Sequence, residues 1–355
     1  MVVLAHCSIF LTRGGRDPAL LPFYGPLGVA IFFVISGFIM YHTSRETWDG
    51  RASTAVAFFG RRLHRIVPLY WLLTSAQLAL VLFAAMRGVQ SPPALRDILF
   101  SYLFIPYGFT GLAFVPILAV GWTLDYEMFF YALFALALLL PKRAGMWALV
   151  ALLAGLVALG QWASVPPAPL AALIQPIVLL FAFGILLGWA AERIARRLPP
   201  GAGGALLALL IACSPLVLWL SPPARTQLWF GPGLWAYAFA IVAVAAFTRA
   251  PPLESLSKGG RFLLLLGDAS YFLYLVHPLV MQVASAAARR LGVTGSPGLF
   301  LVAAVALLMS ITAAIAGHLL IEKRLSRWTA GVFGRKPAAD PGGQVGSWRA
   351  SRSAE

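Results

Sequence analysis

The stretch Gly298–Ile321, GLFLVAAVALLMSITAAIAGHLLI, contains no acid, lysine or arginine in 24 residues. A helix needs about 20 predominantly apolar residues to cross the hydrocarbon core of a bilayer. Working outward, similar blocks recur at Gly25–Tyr41, Val67–Met86, Val120–Leu140, Met146–Trp162, Leu170–Ala191, Ala205–Leu220, Trp229–Phe247 and Leu263–Ala287. Of the 355 residues, 60% are hydrophobic and 11% charged. A soluble domain carries about 25% charged residues, so this chain has too little polar surface to solvate a compact ball. The blocks also lack the short alternating segments of a porin-type barrel. The fold class is therefore all-α, a polytopic transmembrane helix bundle.

These blocks predict nine complete spans. Met1–Leu11 is apolar but too short to cross alone, and it reads as the far half of a tenth helix truncated at its N-terminus. About ten spans are expected, within a membrane domain covering residues 1–327. Residues 328–355, rich in Gly, Pro, Ser and Arg without apolar periodicity, read as a disordered cytoplasmic tail.

The net charge of +15 does not point to nucleic acid, because the basic residues sit in the short segments between apolar blocks. If loops alternate sides, 20 of the 27 Lys and Arg residues fall on the side of the termini and 7 on the other. The positive-inside rule then places both termini in the cytoplasm. Tyr70, Trp71, Trp162, Trp189 and Trp229 near block ends suit interfacial anchoring. Cys7 and Cys213 lie in apolar runs and fit buried packing, and no metal-binding motif is present.

Ionisable groups inside apolar spans are costly and mark candidate sites. They are His6, Asp125, Glu127, His277 and His318. A lone membrane histidine also serves simply to hydrogen-bond a neighbouring helix, and that alternative stands for His277 and His318. Asp125 and Glu127, two residues apart, point to different helix faces, so one is expected in a site and the other turned outward. Glu127 lies deeper, ahead of Met128, Phe129 and Phe130. Arg62 and Arg65 are three apart and share a helical face, a fork suited to phosphate oxygens. The alternative is ordinary topology charge touching lipid headgroups. Ser36 and Gly37 make one small spot in a bulky helix, which admits either a ligand or a packed neighbour.

Together these segments resemble the acyltransferase-3 family, bacterial multi-span membrane proteins that O-acylate sugars. Five landmarks recur in order: the apolar run ending in His6, Phe32–Gly37, Arg61–Trp71, Trp122–Glu127 and Tyr274–Pro278. The wording of Trp122–Tyr131 looks most like the exopolysaccharide-acetylating, ExoZ-like branch. The resemblance implies that His6 is the essential histidine and that Arg62 and Arg65 are the R-x-x-R pair. It implies that Ser36 and Gly37 belong to the acyl-donor site and Glu127 to an acidic motif in which Thr123 replaces the commoner Ser. Trp122, Asp125, Tyr126 and His277 are expected to support substrate or structure. One departure is that the family's basic residue eleven positions before the histidine is absent here.

The resemblance further implies a bacterial inner-membrane enzyme. Its donor is an acyl-CoA, most simply acetyl-CoA, with no metal; its acceptor is a polysaccharide or lipid-linked glycan, and membrane lipid surrounds it. A sugar hydroxyl is a poor nucleophile at neutral pH, and histidine is suited to take its proton. That role is expected of His6, with Glu127 orienting or charge-balancing it. A covalent acyl-histidine relay is the alternative. A flippase or transporter for lipid-linked sugars is the competing class, although paired inverted repeats are not visible. An acyltransferase acting on a small molecule or lipid is the other competitor.

Overall fold

The computed structural model describes residues 2–4, 6–7, 25–107, 115–162, 168–194, 209–213, 232–247 and 257–325. The tail read at 328–355 lies outside them, as does most of the block Ala205–Leu220. Among the described residues, beside short helical pieces at 2–4, 6–7 and 209–213, the helices are α1 Gly25–Ser44, α2 Ala52–Met86, α3 Leu95–Tyr102, α4 Trp122–Ala137, α5 Lys142–Trp162, α6 Ala168–Leu173, α7 Leu179–Ile194, α8 Pro232–Phe247, α9 Lys258–Asp268, α10 Ser270–Arg290 and α11 Ser296–Gly317. The last continues through a π-helical turn, His318–Glu322. No strand occurs among the described residues.

Five described helices are long and apolar enough to cross a membrane: Leu27–Ser44, Ala52–Met86, Lys142–Gly160, Ser270–Arg290 and Pro297–Leu325. Pro176–Ala191 and Ala236–Ala245 are apolar but shorter. The chain is thus an all-helical membrane bundle, and five crossings meet the length criterion where about ten were expected.

Three blocks differ in detail from their sequence reading. α2 begins at Ala52, not Val67, and runs unbroken for 35 residues through Arg61, Arg62 and Arg65. Hydropathy ends a block at charges, but arginine is a good helix former and does not end a helix. At 1.5 Å per residue α2 is about 52 Å long, so one end projects beyond a hydrocarbon core of about 30 Å. The block Leu170–Ala191 is broken, because Gln175 precedes Pro176 and is held extended at ψ 144°. The block Leu263–Ala287 is likewise two helices, α9 and α10, meeting at Ala269.

α1 lies at the centre and packs most extensively on α7, with α8 and α4 beside it. Small residues allow this. A Cβ on Gly37 would sit 2.1 Å from the Phe181 carbonyl oxygen, and one on Gly184 would sit 2.2 Å from that of Val34. One turn on, Gly188 faces the Tyr41 ring. Positions 37 and 184, then 41 and 188, advance together, so α1 and α7 run the same way. Phe181 fills the space beside this crossing, with ring centroids 4.6 Å from Phe33 and 4.3 Å from Phe130.

α2 and α10 are joined at two levels. The Tyr271 hydroxyl donates to the Ile66 carbonyl at 2.9 Å. Farther along, Gln77 and Gln282 exchange two amide hydrogen bonds, of 3.3 and 3.0 Å. Both ties join residues 205 apart in sequence, so the two helices run in the same direction and in register. The N-terminal residues pack on the outer part of this unit. Cys7 is buried against Met281 of α10 and Ala303 and Ala306 of α11.

Candidate active site

One side of α10 carries a run of buried and half-buried polar groups. Tyr271, Tyr274 and His277 follow at intervals of three, and Gln282 returns to the side of Tyr271 three turns on. Each reaches a different partner. Tyr271 holds α2 through Ile66. The Tyr274 hydroxyl donates to the Val120 carbonyl at 2.8 Å and lies 2.8 Å from Thr123 Oγ1, which fixes the start of α4. His277 meets the N-terminal segment.

That meeting is direct. His277 Nε2 lies 3.1 Å from His6 Nδ1, and the ring centroids are 4.9 Å apart at 44°. His277 is fully buried, and His6 is partly buried. His6 Nδ1 also lies 3.1 Å from the Val2 carbonyl, and His277 Nδ1 lies 3.1 Å from the Leu273 carbonyl. Packing of Cys7 against α10 and α11 is what brings His6 to this place.

A second polar cluster joins α1, α4 and α2. Ser36 Oγ donates to Glu127 Oε1 at 3.2 Å, and the Tyr131 hydroxyl donates to the same oxygen. The Arg62 guanidinium lies over the Tyr131 ring at 5.7 Å and over the Phe58 ring at 5.5 Å. Its Nε is buried without a hydrogen-bond partner among the described residues. The two arginines share a side of α2, with Arg62 half-buried and Arg65 exposed.

The remaining candidates fall around these clusters. Gly37, next to Ser36, is occupied by the α7 backbone, so one helix turn uses Ser36 toward α4 and Gly37 toward α7. Trp122 lies edge-on to both Tyr126 and Phe33, at 6.0 and 6.4 Å. Asp125 is 2% exposed and its two oxygens lack a hydrogen-bond partner among the described residues, so it does not turn outward as expected. Tyr126 is buried in the main core. His318 pairs with Glu322 at 2.9 Å inside the π turn. Among the described residues, no hydrogen bond joins Glu127 to His6, and the two sit in separate clusters. Tyr131 and Gln77 carry contacts that sequence reasoning did not assign. The signal for Tyr131 was its place four residues after Glu127 on one helical face. No cluster of metal-binding side chains occurs among the described residues.

An acidic residue capped by two hydroxyls, a half-buried arginine lying over two aromatic rings and a histidine pair are all held inside an apolar helical bundle. Such a set suits proton transfer and the holding of an anion. The chain belongs to the acyltransferase-3 family, whose acyltransferase domain matches residues 1–318, and it is an acyltransferase. Among relatives, the exopolysaccharide production protein ExoZ of Rhizobium meliloti (strain 1021) is 32% identical over 321 residues, covering 88% of this chain and 94% of that protein. No solved structure gives a significant match.

Proposed function

We propose that the protein is an inner-membrane O-acyltransferase that moves an acyl group, most simply acetyl, from acyl-CoA to a hydroxyl of an exopolysaccharide or its lipid-linked precursor. The acceptor class is suggested by the name of the Rhizobium relative. The spacing of the two clusters carries the reading. Tyr271 marks the level of Ile66, so His277 stands level with position 72 of α2, ten residues beyond Arg62. Ten residues are about 15 Å along a helix, a distance of the order that the pantetheine arm of coenzyme A covers.

In this reading Arg62 and Arg65 hold donor phosphates. The Arg62 Nε, buried and without a hydrogen-bond partner among the described residues, supports that role, because a buried charged donor is stabilised by an anionic acceptor. Acyl-CoA supplies the activated thioester. Glu127, held by Ser36 and Tyr131, anchors the Tyr131 ring on which Arg62 lies. His6 takes the proton of the acceptor hydroxyl as that oxygen attacks the thioester carbon, and returns it to the departing thiolate. Trp122, Asp125 and Tyr126 line the neighbouring core at the start of α4 and support the acceptor side. The chain crosses the membrane ten times with both termini in the cytoplasm, where the donor is found.

Gene deletion in the host, followed by NMR of purified surface polysaccharide, tests this. Loss of ester-linked acyl signal, restored by the wild-type gene and not by His6→Ala at equal abundance, is expected. Unchanged acylation in the deletion strain would overturn the proposal. A trapped radiolabelled acyl-histidine would show a covalent relay instead of direct transfer.

A further inference from the structure

We infer that His277 is the positioning residue of the reaction: it fixes His6 as the tautomer protonated at Nδ1, so that Nε2 is the nitrogen that takes the acceptor's proton. The inference rests on the reading of His6 as the general base and names what prepares it.

Which atoms can donate decides the tautomer. His277 Nδ1 lies 3.1 Å from the Leu273 carbonyl oxygen, one turn back on α10. A carbonyl only accepts, so Nδ1 carries the hydrogen. In a neutral imidazole the other nitrogen then holds a lone pair, and His277 Nε2 is an acceptor. It faces His6 Nδ1 at 3.1 Å. The second neighbour of His6 Nδ1 is the Val2 carbonyl oxygen, also at 3.1 Å and also an acceptor. Two acceptors converge on one nitrogen, which therefore carries a hydrogen shared between them. The lone pair of a neutral His6 is left on Nε2, the nitrogen without a hydrogen-bond partner among the described residues.

The opposite assignment is poor on every contact. A His6 protonated at Nε2 would aim the Nδ1 lone pair at the Val2 oxygen and at the His277 lone pair. A doubly protonated His277 would set two N–H groups against each other unless His6 gave up the Val2 bond. The chosen arrangement also serves the charged form. When His6 accepts a proton at Nε2, its Nδ1–H still donates to His277, which takes part of the new positive charge.

A carboxylate usually fills this orienting position beside a catalytic histidine, holding the tautomer and the ring. Here the carboxylate that sequence suggests for the task, Glu127, is engaged by Ser36 and Tyr131. A neutral imidazole orients the base without placing a further ion in the apolar interior, where charge is costly. His277 is fully buried and hydrogen-bonded on both nitrogens, which leaves it no free nitrogen for substrate.

The test uses the full chain in lipid nanodiscs, with acetyl-CoA as donor and polysaccharide from the deletion strain as acceptor, and follows CoA release. His277→Leu removes the acceptor and is expected to lower kcat by about 100-fold or more, the range of a general base, with KM for acetyl-CoA unchanged. His277→Gln presents an amide oxygen near the place of Nε2 and should retain kcat within about 10-fold of wild type. His277→Asn, too short to reach, should behave as the leucine variant.

Imidazole ¹⁵N spectra give a readout that a merely structural role would not move. The His6 signals, identified among five histidines by their loss in His6→Gln, should show hydrogen on Nδ1 in wild type and a shift toward Nε2 in His277→Leu. A wild-type His6 protonated at Nε2, a leucine variant with wild-type kcat, or a glutamine variant as slow as leucine would each overturn the inference. Should the leucine variant fail to fold, the wild-type spectrum and the glutamine–asparagine contrast decide alone. Failure of the underlying reading looks different: His6→Ala would then turn over normally whatever the tautomer.

Discussion

Gly37→Ala is expected to damage the protein through packing alone, and the geometry sets the size of the effect. The new methyl would lie 2.1 Å from the Phe181 carbonyl oxygen and 3.1 Å from the Gly184 Cα. Both neighbours are backbone, so no side chain can swing aside. Restoring ordinary contact near 3.4 Å requires α1 and α7 to part by about 1.3 Å, which weakens the whole interface between them. Overpacking of this kind costs about 1–3 kcal/mol, and the absence of a yielding side chain places it at the upper end. For a chain of this size that is a fall of roughly 5 °C in Tm. Gly184→Ala makes the same clash from the other side, 2.2 Å from the Val34 carbonyl oxygen, and lies on a different helix from Ser36. The two variants should therefore lower Tm alike, and the double variant should cost less than their sum, because helices already parted accept the second methyl. Thermal melts followed by fluorescence size exclusion measure all three. If Gly37→Ala abolishes turnover at wild-type Tm while Gly184→Ala is silent, the packing argument fails and Gly37 acts on a ligand.

Arg62→Lys keeps the charge but loses the planar group between Phe58 and Tyr131, and KM for acetyl-CoA should rise by about 10-fold, near one charge-assisted hydrogen bond. An unchanged KM in the CoA-release assay would remove Arg62 from the donor site. Tyr131→Phe drops the hydroxyl given to Glu127 but keeps the ring under Arg62, so about 1 kcal/mol of stability should be lost with little change in KM. Tyr131→Leu removes the ring too and should raise KM; equal KM values in the two variants would refute a role for the stacking. Gln77→Ala and Gln282→Ala should each destabilise the bundle, with a coupling of about 0.5–1.5 kcal/mol in a double-mutant cycle of thermal melts. Additive losses would show that the amide pair is not an interaction of consequence.

Hydropathy made the membrane class legible, since Gly25–Tyr41, Met146–Trp162 and Gly298–Ile321 all lie within observed helices. It handled charges and prolines less well. Arg61, Arg62 and Arg65 ended a block in the sequence but not the helix, because backbone hydrogen bonding is indifferent to them. Leu170–Ala191 breaks at Pro176, and the extended Gln175 before it is the physical reason. The break at Ala269 had no proline to announce it. At the site, the residue types were legible and their grouping was not. His6 and His277 are 271 positions apart, and Ser36 and Glu127 are 91 apart. Helical periodicity reports which neighbours share a face, but not which face of another helix will meet it. The expectation that Glu127 orients His6 follows from the family resemblance, which singles out both residues. The structure places a hydroxyl pair on the acid and a second imidazole on the histidine.

The equal offset of the two ties between α2 and α10 has a consequence for counting. Two transmembrane helices that run the same way must be separated by an odd number of crossings. Between them, α4, α5, α7 and α8 supply at most four, which is even. The ten-crossing proposal meets the requirement with a fifth, the block Ala205–Leu220, whose described part, residues 209–213, is helical. One crossing fewer would reverse α10 end for end and place Tyr271, not Gln282, opposite Gln77. A pair of glutamines thus sets the parity of a stretch of chain in which neither takes part.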